Sequence, residues 1–113
     1  MATYEGLLAD HFESVEYVIC GSYQGDIVFR VEDKGRVGYL VWGYGSCSGC
    51  DELEAVYGDE NAEREIGNDM AEAVFFGTVE EIRAHALTAD GNHWYAYDTE
   101  VKEAIEGLFP LNA

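Results

Sequence analysis

"DIVFRVEDKGRVGYLVWGY", residues 26–44, decides the fold. In its first part Ile27, Phe29 and Val31 alternate with Val28, Arg30 and Glu32, the period of two that a strand requires. Its second part, 36–44, is dense in β-branched and aromatic residues, which suit a pleated surface. Between them "EDKGR" is turn chemistry, with Gly35 available for positive φ. So short a loop joins antiparallel neighbours, because parallel strands need a crossover of about a dozen residues or more. Upstream, "SVEYVIC" (14–20) has the same composition, and "GSYQGD" (21–26) is a second turn. Three strands joined this way form an antiparallel meander.

The second half changes period. "NAEREIGNDMAEAVF" (61–75) spaces Ile66, Met70 and Val74 four apart, with acids between them. "TVEEIRAHAL" (78–87) opens on Thr78 with Glu81 three residues on, a capping box, and offers Val79, Ile82 and Leu87 to a core. "DTEVKEAIEGLFP" (98–110) offers Asp98 as N-cap and Val101, Ile105 and Leu108 on one face. Gly107 is positioned to end that helix, with Pro110 beyond. A short helix around 3–11 would bury Leu7 and Leu8. "NHWYAYD" (92–98) reads equally as a fourth strand or an aromatic loop. The expectation is one α+β domain over 1–113. Its three- or four-stranded antiparallel meander would be covered on one face by about three helices from the C-terminal half.

The charge is unusual. There are 23 Asp plus Glu against six Lys plus Arg, a formal net charge of −17. Apolar residues make up 48%, enough for a core, so the acidity does not signal disorder. A chain this acidic repels phosphate, which argues against direct binding of nucleic acid or an anionic membrane. No apolar run approaches the roughly 18 residues of a spanning helix. "MATYEGLLADHFE" carries acids early and has no basic n-region, so a cytoplasmic location is expected.

Two of the three cysteines, Cys47 and Cys50, form a Cys-x-x-Cys clip in "VWGYGSCSGCDELEA" (41–55). The odd count argues against a disulfide framework. A zinc site would take Cys20, Cys47 and Cys50, since Cys20 ends the first strand at the sheet edge where the third also ends. Its fourth ligand would come from His11, His85, His93 or Asp51, none in a finger-like pair. A thioredoxin-type thiol site would want βαβ units and a nearby proline, but the only proline is Pro110. The favoured reading has no cofactor: a tight strand-to-helix turn at Gly43, Gly45 and Gly49, with Ser46 or Ser48 capping the helix that follows.

"YQGD" (23–26) and "GYGSCSGCD" (43–51) together resemble a set of small proteins from bacteriophages and actinobacteria. The likeness covers about a third of the chain, all in its sheet half. It implies a phage or bacterial setting and no catalytic activity. Around the same sheet edge, Tyr23, Gln24, Asp26, Ser46 and Asp51, with Tyr44 and Cys47, read as a polar cluster. Such a cluster is either a ligand or partner contact or a set of turn caps.

No phosphate loop, dinucleotide fingerprint or nucleophile elbow is present, so no enzyme is expected. Acids remain. Residues four apart on a helix lie about 6 Å apart, close to phosphate spacing along a DNA strand. Glu60, Glu63 and Glu72, or Glu100, Glu103 and Glu106, would thus imitate a nucleic-acid backbone. The expected function is a small phage-associated binder that inhibits a basic host nucleic-acid-binding or defence enzyme. The alternatives are a metal or thiol protein built on the cysteines, and a self-associating structural or assembly protein.

Overall fold

The computed structural model describes residues 2–45, 51–88 and 98–111. Its centre is the predicted meander: β1 (Ser14–Gly21), β2 (Gly25–Asp33) and β3 (Arg36–Tyr44), each antiparallel to the next. Asp33 faces Arg36 across a two-residue loop in which Lys34 and Gly35 have φ of 54° and 79°. Positive φ at both central positions is the turn that matches strand twist, and glycine takes it without steric cost.

Helices lie on both faces of this sheet rather than the expected one. Ile27, Phe29 and Val31 pack with Leu40, with Tyr4 and Leu8 of α1 (Tyr4–Ala9), with Leu53 of α2 (Glu52–Ala55), and with Ile66 and Met70 of α3 (Glu60–Ala73). On the opposite face Val28 and Tyr39 pack with Ile82 and Ala86 of α4 (Val79–Leu87) and with Val101, Ala104 and Ile105 of α5 (Asp98–Leu108). Neighbouring Val28 and Phe29 are therefore both fully enclosed. The reason is in the sequence: Val28, Val37, Tyr39 and Val41 make the second face apolar as well. Leaving it uncovered would forfeit roughly 1.5–3 kcal/mol for each large side chain.

The third predicted helix stops early. α3 ends at Ala73, and β4 (Phe75–Phe76) pairs with Gly38 and Tyr39 to give sheet order β1-β2-β3-β4. The run Val74–Phe75–Phe76 is β-branched and aromatic, poor material for a last helical turn. Gly38 admits it: a Cβ there would lie 2.7 Å from Val74 Cγ1 and 2.9 Å from Phe76 Cδ1. The chain thus passes from one face of the sheet to the other around the edge of β3.

Helix starts follow their caps. The Thr78–Glu81 capping box forms as the spacing predicts. It holds the Glu81 carboxyl below its usual range, chiefly through the Thr78 N–H. α2 is capped by Asp51 rather than by Ser46 or Ser48, which lie outside the described residues. α5 continues through Gly107 to Leu108. Its C-terminal carbonyls at Leu108 and Phe109 accept from Arg30 Nη1 (2.6 Å) and Arg83 Nη1 (2.9 Å). The segment 92–98 lies outside the described residues apart from the helical backbone of Asp98. Among the described residues no helix is long and apolar enough to cross a membrane.

Candidate functional site

The polar cluster expected at one sheet edge is divided. Asp51 is 6% exposed, and its carboxylate is saturated. Oδ1 accepts from Leu53 N and Glu54 N (both 3.0 Å) and from Tyr4 Oη (2.9 Å), while Oδ2 accepts from Gly45 N (2.7 Å). Asp51 therefore ties α1, the end of β3 and α2 together, the work of a cap. Asp26 is buried too, but it faces Cys20 in the β1–β2 ladder, on the α5 side of the sheet. Tyr23 and Gln24 stand exposed in the β1–β2 loop. Ser46 lies outside the described residues.

Cys20 sits among carboxylates. Burial pushes its thiol up to about 11, and Glu100 and then Asp26 add to the effect. Such a thiol stays protonated near neutral pH and is a poor nucleophile. The ends of β1 and β3 do share one edge, since Tyr44 Oη donates to the Cys20 carbonyl at 2.8 Å. Cys47 and Cys50 lie outside the described residues, as does His93. Among the described residues no group of three His, Cys, Asp or Glu side chains is arranged to hold a metal ion.

The remaining histidines are placed by packing. His85 Nδ1 is hydrogen-bonded to Tyr39 Oη, and its ring stacks on Phe75 with centroids 4.1 Å apart. Burial pushes the Tyr39 phenol up to about 12, so it stays protonated in this pair. His11 is exposed at the end of α1.

The two acidic helices part company. α3 packs on one face of the sheet and α5 on the other, so Glu60, Glu63 and Glu72 form no common surface with Glu100, Glu103 and Glu106. Within α3, Glu72 is nine residues beyond Glu63, about half a turn away around the helix. Within α5 the three glutamates recur at three-residue spacing, all exposed, on a stripe opposite buried Val101 and Ile105. Glu100 also accepts the Gly21 N–H at 3.0 Å, which anchors α5 to the end of β1. Among the described residues the ion pairs are Arg30–Glu32 and Arg36–Asp33, and neither involves this stripe.

No family model matches the chain, and neither a curated protein nor a solved structure matches it. Sequence reasoning found the acidic stripe but missed Tyr4 as the partner of Asp51. A lone tyrosine in a short helix carries no signal of a contact 47 residues away.

Proposed function

We propose that this chain is a small acidic binding protein, not an enzyme, that engages a basic host protein through the glutamate stripe of α5. The partner class is a nucleic-acid-binding or defence enzyme, whose phosphate-binding surface the stripe would occupy in the cytoplasm of a phage host. One observation carries the reading: Glu100, Glu103 and Glu106 are exposed on one stripe and make no ion pair among the described residues. Lys102 stands exposed one turn before Glu106 but makes no ion pair among the described residues, and Arg30 and Arg83 are turned to the carbonyls of Leu108 and Phe109. Three carboxylates against one lysine leave the row net acidic, which focuses negative potential and speeds encounter with a basic surface.

The test is affinity capture from bacterial lysate at low and high salt, with mass spectrometry of the bound fraction. A basic nucleic-acid-binding protein retained at low salt, and displaced by salt or added DNA, is the expected result. Double reversal of Glu103→Lys and Glu106→Lys abolishes that capture, while Glu100 is left to hold Gly21. Capture undiminished in the double variant would remove α5 as the surface. Absence of any salt-sensitive basic partner would remove the reading itself.

A further inference from the structure

Among the described residues, the period of the β-ladder leaves one row of backbone groups without a partner. Asp33 and Arg36 close a two-residue hairpin as a hydrogen-bonded pair, so alternate residues of β2 turn their backbones to β3. Arg30, Val28 and Asp26 then turn theirs to β1, where they face Glu16, Val18 and Cys20. Val15, Tyr17, Ile19 and Gly21 must therefore point their N–H and C=O groups outward. The Gly21 N–H agrees, since it meets Glu100 Oε2 beyond the sheet. Val15, Tyr17 and Ile19 have no such partner among the described residues, and β1 is the outermost strand.

This edge is guarded only by acidic side chains, Glu16 within the strand among them. Natural edge strands carry lysine, proline or a bulge to prevent pairing. β1 has no lysine or proline, and its register runs without a break from Ser14 to Gly21. Tyr17, Val18 and Ile19 are 45%, 39% and 55% exposed, a continuous apolar run on the outermost strand. A groove flanks each side of the strand. One, of about 470 Å³, lies between Val18 and α5 and is bordered by Glu100 and Glu103. The other, of about 270 Å³, lies beside Ile19 and is bordered by Glu5 and Glu54. Neither lining contains a lysine or arginine.

We propose that the outer edge of β1 takes up an extended cationic segment of a partner protein as an added strand. Backbone hydrogen bonds to Val15, Tyr17 and Ile19 would supply affinity, and the two grooves would take alternate side chains. Glu16, Glu103 and Glu5 along the edge select lysine or arginine in that segment and repel a second copy of this chain, whose net charge is −17. The proposal rests on the basic-partner reading above and adds the mode of binding.

The test is titration of the full chain with a synthetic peptide of alternating lysine and valine, followed by amide exchange. Added-strand binding slows exchange at the Val15, Tyr17 and Ile19 amides by about tenfold or more, the effect of new backbone hydrogen bonds. Ile19→Pro removes one outward N–H without touching the β1–β2 ladder and weakens the peptide by about tenfold. Should Ile19→Pro fold poorly, N-methylation of alternate peptide amides on the parent chain reads the same bonds. Peptide binding with no new protection at these amides would overturn strand addition and leave the acidic-binder reading standing. Protection that persists in Glu103→Lys with Glu106→Lys would retain strand addition and count against the α5 stripe. Protection that grows with protein concentration in the absence of peptide would overturn the proposal in favour of self-pairing.

Discussion

The Tyr4 hydroxyl donates to the Asp51 carboxylate at 2.9 Å and accepts from Leu53 N at 3.2 Å, joining the first helix to the cap of the second. Asp51→Ala removes the cap, worth about 1 kcal/mol, and strands buried donors at about 1–3 kcal/mol each. The expected loss of stability is about 2–4 kcal/mol in urea unfolding, against about 1 kcal/mol for Tyr4→Phe. A double-mutant cycle gives a coupling near 1 kcal/mol. Independent effects of the two substitutions would show that Asp51 serves its own helix only.

Burial on both faces makes a second prediction. Met70 lies under one face of the sheet and Ile105 under the other, each with no exposed surface. Met70→Ala and Ile105→Ala each cost about 2–5 kcal/mol, and the costs add because the sheet separates the two sites. A small effect at Ile105 would mean that α5 is dispensable for folding, contrary to the packing.

Gly38 sets the fit of β4. Replacing it with alanine drives a methyl against Val74 Cγ1 and Phe76 Cδ1, at 2.7 and 2.9 Å. Gly38→Ala is expected to cost about 1–3 kcal/mol, the range of overpacked sites. The damage is local: the Gly77 amide, which bonds to Val37 O at 3.2 Å, loses exchange protection before the β2–β3 amides do. Uniform loss across the sheet would contradict this.

Alkaline pH acts through buried acids. The Cys20 thiol is raised from 9.0 to about 11, chiefly by burial, so folding favours its protonated form. Above pH about 9 the unfolded chain holds fewer protons than the folded one, and stability falls as pH rises. This contribution is complete below about 9 and is lost by about 11, up to ~2 kcal/mol in all. Tyr39, raised from 10.0 to about 12 by burial, extends the decline one pH unit higher. Under reducing conditions Cys20→Ala delays the onset of the fall to near pH 10. An unchanged profile in that variant would exclude Cys20 as its source.

Local chemistry alone determined much of this. Alternation placed β2, and β-branched and aromatic composition placed β1 and β3. Gly35 marked the tight turn, the Thr78–Glu81 spacing marked a helix start, and Ile66 and Met70 marked a buried stripe, while Val74 falls beyond the helix end. Those features depend on residues a few positions apart, and so the sequence carries them in full. The acidity of the candidate site was legible for the same reason.

Tertiary structure decided the rest. Val28 is apolar whether a helix or nothing covers it, so only the chain path shows that α4 and α5 lie over that face. Phe75–Phe76 is too short for any period to reveal, and it became a strand because Gly38 left room beside β3. Asp51 caps α2 and also accepts from Tyr4 and Gly45, contacts that the local sequence does not announce. A strand's alternation is the same in the middle of a sheet as at its rim. Hence the place of β1 at the rim of the sheet, and the separation of the α3 and α5 glutamates by the sheet, follow from long-range packing rather than from sequence.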